Sequence, residues 1–526
     1  MSPAPSSPAS SSSDSVPAPA SALTRRRFHA LLGSAAGAAA LAASAAPALA
    51  APTAPAGPDP AGGPRATAQD LLRRMRVDRD AATADGPVWS PVATGFASVP
   101  SPALPEGTTG GLGGPVLTVR TAEEFAAAVA AEGAAVVLVE GTIVFTPGTM
   151  TDVSAHTSIL GVGAGAEIVG GGIRLLHVSN VIIRNLTFRD SYVAGDWDGK
   201  FDDNDNDGIR VDTSDHVWID HCEFARLGDG QVDIRKDSRE VTLSWSVLRD
   251  HNKTLGVGWT DNLVTTLTIH HVRFSNVHQR NGSIDQVRIG HAYNVWLAGA
   301  SSYGMASRGA TQLLIEHSVF ESVRNPIGLS SPESRVAQYG NLREGCWGTW
   351  EDNGIDVDPA DHYDYALDPV DAVRDLLTAH AGPRTRRELV PRTLHVAQDG
   401  SGDMLSVHAA IGAAWRSPHP VEIVVHPGVY REVLTVWPGC DSLVIRGASG
   451  DPADVTLTYD KPATDWATVT VLAGSVTLAA LTLENAYDES AHGDRPAFPL
   501  RSVDDSLTLQ DVVLIGGPHE ISDPRA

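Results

Sequence analysis

The chain has 526 residues, 42% of them apolar and 6% aromatic, enough to bury a sizeable core and to form two or three domains. Its 39 Lys and Arg against 63 Asp and Glu give a formal charge of −24, which excludes polyanion binding by bulk attraction and speaks against a nucleic-acid protein. Three cysteines, Cys222, Cys346 and Cys440, with no CxxC pair among them, exclude a disulfide scaffold and are expected to be buried thiols.

Residues 1–50 read as an export signal. Thr24-Arg25-Arg26-Arg27-Phe28 precedes an apolar Ala/Leu/Gly stretch that ends in Ala48-Leu49-Ala50, a small-residue cleavage pattern. The twin arginine resembles the signal of proteins exported already folded. The apolar run is too short and too rich in Ala and Gly to span a bilayer, so a secreted, soluble protein with no membrane partner is expected. Residues 51–92 read as a Pro/Ala/Gly-rich linker with a short basic helix from Gln69 to Arg79. Thr121 to Glu132 has helical spacing, with Thr121 as its N-cap.

The main signal is a repeat. NVIIRNLTF begins at Asn180, HVWIDHCEF at His216, EVTLSWSVL at Glu240, TLTIHHVRF at Thr266, NVWLAGASS at Asn294 and QLLIEHSVF at Gln312, in steps of 36, 24, 26, 28 and 18 residues. Each run alternates apolar and polar residues and ends in turn residues, the pattern of a half-buried strand. One such strand cannot bury its face without a neighbouring rung, so the repeat implies a solenoid; leucine-rich spacing is absent, which leaves an all-β, right-handed parallel β-helix over 93–345. Residues 346–392 are acidic and irregular. Rungs resume at Ser442, Ser475 and Ser506, so a second, short β-helical unit is expected over 393–526.

Three acids stand out between the rungs: Asp207 in DNDNDGIRVD, and Asp229 and Asp233 in GDGQVDIRK. The steps put Asp207 one turn from the Asp229/Asp233 pair, about 4.8 Å away along the stack. Carboxylates clustered without basic partners are costly unless a cation holds them, and an all-oxygen set suits Ca²⁺; the alternative is solvated loop acids. Asp203-x-Asp205-x-Asp207-Gly208 starts like an EF-hand, but Ser214 stands where the bidentate Glu is required. On the basic side, Lys253 in RDHNKTLGVG and Arg280 and Arg288 in QRNGSIDQVRIG lie just beyond rungs, where they could hold sugar carboxylates.

Taken together, the GVGAGAEIVGGG corner, the DGI and HVWIDHCEF block, GDGQVDIRKDSREVTLSWS, DHNKTLGVG and QRNGSIDQVRIGHAYNVWL resemble the pectate lyase family, polysaccharide lyase family 1, over about residues 93–330. The resemblance implies a monomeric, Ca²⁺-dependent enzyme that cleaves polygalacturonate by β-elimination. It implies Asp207, Asp229 and Asp233 as metal ligands, with Asp205 weaker, Lys253 as a substrate-carboxylate ligand, Arg280 as the base that takes the C5 proton, and Arg288 as support for the same subsite. The family carries Pro two residues after the catalytic Arg; here that residue is Gly282, which implies a looser loop. From Leu394, HVAQDGSGDMLSVHAAIGAAW, IVVHPGVYREVL and LVIRGASGDPADVTL resemble the start of pectin methylesterases, without that family's catalytic strings. The resemblance therefore implies an inactive esterase fragment. The alternatives to a lyase are a non-catalytic pectin-binding β-helix and a hydrolase or active methylesterase.

Overall fold

A computed structural model of the chain describes residues 87–201, 204–383, 392–460, 467–488, 497–503, 505–517 and 519–523. The expected leader at 1–50 and basic helix at 69–79 lie outside the described residues, as does Asp203. No helix among the described residues is long and apolar enough to cross a membrane.

The fold is an all-β parallel β-helix whose coils run through three sheets. The first sheet stacks Ser179–Arg184, Asp215–Asp220, Arg239–Ser244, Thr265–His270, Val287–Tyr293, Gln312–Glu316 and Arg335–Tyr339, all parallel. Register holds like residues over like: Val181, Val217, Val241 and Leu267 form one inward column, and each is fully buried. That column is the repeat seen in the sequence, because alternate residues of every rung must face the same core. The run from Asn294 is an exception. Its strand, Trp296–Ala300, belongs to the second sheet, and the first-sheet rung of that coil is Val287–Tyr293; this misplacement makes the steps of 28 and 18 residues irregular.

The second sheet contains Thr187–Arg189, Glu223–Ala225, Trp296–Ala300 and Val319–Val323, and the third contains Ile209–Asp212, Gly230–Arg235, Met305–Arg308 and Ile327–Leu329. Two long strands, Val247–Gly258 and Arg273–Asp285, run through both sheets. Between the first and second sheets the chain turns at Asn185, His221, Trp245, His271, Asn294 and His317, all at positive φ. Stacking between neighbouring coils compensates this conformation: Trp245 lies 4.1 Å from His271 and 5.9 Å from His221, centroid to centroid. Between the second and third sheets Asp190, Arg226, Asp250, Asn276, Gly299 and Ser322 form another positive-φ ladder.

Helix Ala122–Val129 closes one end of the coil, its first turn capped by Thr121 as expected, with Phe125 buried in the core. Cys222 and Cys440 are buried free thiols, and Cys346 is half-buried. Residues 346–383, expected to be irregular, are packed and end in a helix, Val373–His380. The Tyr363 hydroxyl accepts from Thr268 Oγ1 at 2.8 Å, and Asp368 Oδ2 pairs with His271 Nε2 at 2.8 Å, both against the first sheet.

Beyond them a second parallel stack, Thr393–Val396, Glu422–Val425, Val444–Gly447, Thr477–Asn485 and Thr508–Ile515, has its own core around Ile423, Ile445 and Leu478. It docks on the second corner ladder. Trp437 Nε1 donates to Asn276 Oδ1 at 2.8 Å, and Asn276 Nδ2 donates to the His408 carbonyl at 2.9 Å. Gly412 in helix Val407–Ala414 lies so close to Asp250 and Asn276 that no side chain would fit there. Along the last strand Leu509, Val513 and Ile515 are exposed.

Candidate active site

The third sheet presents its outward residues beside the turn at Gly199, which lies against Asp229 and Lys253. Asp207 comes just before Ile209–Asp212, and the next coil, Gly230–Arg235, pairs with that strand through Ile209↔Val232 and Arg210↔Asp233. The stack thereby brings Asp207, Asp229 and Asp233 to one end of two adjacent coils. The glycine between the two aspartates of the second coil is required. A β-carbon on Gly230 would stand 2.7 Å from Asp233 Oδ1 and 2.9 Å from Asp207 Oδ1, so only hydrogen fits between the two carboxylates.

Charge balance within this group is uneven. Asp207 Oδ1 accepts from the Gly230 amide at 2.8 Å and its Oδ2 from Arg210 Nε at 2.6 Å; Arg210 also holds Asp205 at 2.5 Å. Asp229 is paired with Lys253 Nζ from the next coil. The expectation of carboxylates without basic partners is thus corrected, since folding brings in Arg210 and Lys253. Asp233 is the remainder: among the described residues its buried carboxylate makes no hydrogen bond and no ion pair. Burial, reinforced by the charge of Asp207, pushes the Asp233 carboxyl well above the usual range, and the nearby Arg280 offsets only part of this. Burial also raises Asp207, to about 6, with Asp229 adding to the rise and Arg210 opposing it.

Lys253 and Arg280 sit on successive coils, Lys253 opposite Gln279 in the pairing of Val247–Gly258 with Arg273–Asp285. Arg280 is at a positive-φ position, and its carbonyl accepts from Thr254 Oγ1 at 2.8 Å. Its guanidinium lies 5.5 Å above the Trp259 ring. Gly282 adopts φ +105, outside the reach of proline, so the strand continues here by a route the expected Pro could not follow. The strand Arg273–Asp285 is irregular at this point: Leu255 pairs with Asn281 and Gly256 with Ser283, so Gly282 is passed over.

Arg288 is not brought to this group. The chain turns at Gln286, so Arg288 projects from the first sheet into solvent, where Glu240 is a charged neighbour. Two residues that sequence reading missed stand closer. Trp259, exposed at 48%, carries both Arg280 and Arg235 on its ring. Arg308 pairs in register with Asp285 on the third sheet and donates to Ser283 Oγ at 3.3 Å. Ser283 in turn is in register with Gly256, and Gly256 with Asp233.

Asp233 and Asp207 could hold a cation. A buried carboxylate without a partner, facing a second one across a bare glycine, is a hard-oxygen site of the kind Ca²⁺ takes. Asp229 is drawn aside by Lys253, and the three aspartates do not close on one another: among the described residues, Asp215, His216 and Glu240 form the group whose ligand atoms all lie within 4.8 Å. That group is on the first sheet, and both ring nitrogens of His216 are engaged, with Asp215 and with the Val99 carbonyl.

A family model described as pectate lyase matches residues 83–385. The chain belongs to the pectate lyase family. It is a polysaccharide lyase, and curated relatives bear the same class of name. A pectate trisaccharide-lyase of Thermotoga maritima is 37% identical over 342 residues, 58% of this chain and 91% of that protein. The pectate trisaccharide-lyase of Bacillus licheniformis is 30% identical over 309 residues, 53% of this chain and 84% of that one. Among solved structures, a pectate lyase from Bacillus sp. N165 in complex with trigalacturonate aligns at a TM-score of 0.48 and 25% identity, over 56% of this lyase and 99% of that chain.

Proposed function

We propose that the lyase is Ca²⁺-dependent and cleaves α-1,4-polygalacturonate by β-elimination, leaving 4,5-unsaturated oligogalacturonides. The observation that carries this is Asp233, a buried carboxylate without a hydrogen bond, facing Asp207 across Gly230 with two cations on the following coils. Asp207, Asp229 and Asp233 would hold the ion, with Asp205 at the rim. Bound there, Ca²⁺ would neutralise a uronate carboxylate and acidify the carbon-bound proton next to it. Lys253 supplies a point charge for a sugar carboxylate.

Arg280, as the neutral guanidine, takes the C5 proton, and the electron pair left on C5 expels the 4-O-glycosyl group as an oxyanion that takes a proton from water. Support for this role is that the Arg280 guanidinium makes no ion pair among the described residues, while a cation on Asp233 would oppose its protonated form. Guanidinium keeps its proton up to about pH 12, so the rate is expected to climb with pH. Arg288 is given no part in the subsite, since it projects from another sheet.

Pectin is an extracellular polymer, and the arginine-bearing apolar leader at 1–50 supports export by the twin-arginine route. Residues 393–526 are read as a methylesterase-like β-helix without esterase catalysis, and the enzyme as a monomer. The test follows ultraviolet absorbance of the conjugated unsaturated uronate on polygalacturonate, with Ca²⁺ or chelator, for the parent and Arg280→Ala. A rise that needs both Ca²⁺ and Arg280 supports the proposal. No rise on polygalacturonate or methylated pectin leaves a pectin-binding protein.

A further inference from the structure

Between the two β-helical stacks lies a cavity of about 540 Å³, away from the aspartates of the third sheet. Three arginines reach it: Arg249 and Arg273 from the second sheet, and Arg416 from the C-terminal stack. Two of them are balanced. Arg249 is held by Glu223 at 2.5 Å and by Asp250, and Arg416 by Glu321. Arg273 is not. Its Nε is sealed from solvent without a hydrogen-bond partner, and among the described residues its guanidinium makes no ion pair, only a stack 4.9 Å from the Trp296 ring. Burial lowers it to about 10, with Arg416 and Arg249 as like-charged neighbours; Glu223 and Asp250, in the same wall but already engaged by Arg249, offset only part of the fall.

An enclosed cation beside two others costs free energy unless an anion answers it. The cavity wall describes the anion's shape. Trp415 and Trp296 are part of the lining, as are Leu394 and Met404, so a ligand with an apolar face is accommodated beside the charge. Arg416 stacks on both indoles, at 5.0 Å from Trp296 and 5.1 Å from Trp415, with Nη2 on Glu321. A planar carboxylate matches a guanidinium fork, and the C–H face of a pyranose suits an indole. We propose that this cavity is a second binding site for acidic sugar, taking a uronate carboxylate on Arg273 and Arg416 and the ring against Trp415.

The choice of a uronate rests on the lyase reading; the need for an anion does not. The full chain is titrated with trigalacturonate in chelator, by calorimetry and tryptophan fluorescence, with maltotriose and inorganic phosphate as the neutral and the small-anion probes. Trigalacturonate is expected to bind where maltotriose does not and phosphate binds more weakly. Arg273→Met and Trp415→Ala should each weaken it about tenfold, the order of one lost charged hydrogen bond, and Arg280→Ala should leave it unchanged.

Arg273→Met removes a buried unpaired charge, so its melting temperature should hold or rise; a fall would mark Arg273 as a strut and overturn the site. Equal binding of phosphate, equal binding of maltotriose, or indifference to both cavity variants also overturns it. Loss of the lyase reading looks different: no unsaturated product with Ca²⁺, while Arg273-dependent binding in chelator persists. Full lyase activity with no binding in chelator sinks the cavity site alone.

Discussion

Among the described residues Asp233 makes no ion pair, and that makes its removal informative in two directions. Asp233→Asn takes away a buried charge, so without Ca²⁺ the variant should melt as high as the parent or a few degrees above it. With Ca²⁺ the parent should gain stability through ligand binding and the variant should not. Its lyase rate should fall on the order of 100-fold, as for loss of one preorganised group at a charge-developing centre. Thermal melts with and without Ca²⁺ check this, and an Asp233→Asn variant that is still stabilised by Ca²⁺ as the parent is would remove Asp233 from the site. Trp259 works on Arg280 from below. A cation–π contact is worth about 0.5–1 kcal/mol at an exposed site, so Trp259→Ala should lower kcat about threefold with Ca²⁺ affinity intact. An unchanged kcat would leave Trp259 as a bystander. The aspartates were legible in the sequence because each sits among turn residues at a rung's edge. Trp259, Arg308 and the true face of Arg288 were not. One residue of register, or one corner such as Gln286, decides which sheet a side chain leaves from, and alternation alone does not count corners.

Rungs were the most legible elements, since a column such as Val181, Val217, Val241 and Leu267 repeats the same burial in every coil. The corners were less so. Positive φ usually advertises itself as glycine, but here it falls on Asn, His, Asp and Trp; Trp245 and His271 stack across coils, and Asn185 and Asn294 donate to carbonyls of a neighbouring coil. The loop 195–201 is held from two sides. Asp196 accepts from the Lys200 and Phe201 amides at 2.7 and 3.0 Å, and Asp198 is paired with Arg431 of the C-terminal stack. Gly199 in that loop has no room for a side chain, because a β-carbon would stand 2.6 Å from Asp229 Oδ1 and 3.1 Å from Lys253 Nζ. Arg431 therefore positions a loop that roofs two site residues. A partly exposed pair contributes about 0–1 kcal/mol, so Arg431→Met should barely move the melting temperature. Its KM for polygalacturonate should rise about threefold, within the same energy range, with kcat held. Steady-state kinetics separate the two constants, and a fall in kcat at constant KM would place Arg431's effect elsewhere.

The two stacks and the segment between them share one set of buried contacts, and much of that set is histidine. His408 from the C-terminal helix bonds the Asn276 carbonyl at 2.9 Å and packs edge-on against Trp197, 4.7 Å away. His278, a neighbour of the same ring, bonds Ser301 Oγ at 2.8 Å, and His270 lies stacked with Tyr293 under the packed segment 346–383. Burial keeps all of them neutral: His278 is lowered to about 3, His251 to about 4, and His270 well below its ordinary 6.5, with like-charged histidines adding to the effect at His270 and His278. The sign follows from linkage. A histidine lowered in the folded state takes up its proton on unfolding, so the stability it contributes is complete above pH 6.5 and is lost as pH falls toward the folded value. At about 1.4 kcal/mol for each unit of displacement, His278 and His251 together are on the order of several kcal/mol. These histidines should accordingly pull the melting temperature down between about pH 6.5 and 4, against Asp207 and Glu432, whose carboxyls, raised to about 6 and about 7, release protons on unfolding in the same range; the histidine share is the part of the slope that a His278→Asn variant loses. Calorimetric melts across that range, repeated in buffers of different ionisation enthalpy, measure the uptake directly. A His278→Asn variant that keeps the parent's slope and proton uptake below pH 6.5 would mean that this imidazole is charged in the folded protein and that the stacks are joined by something other than neutral, hydrogen-bonded rings.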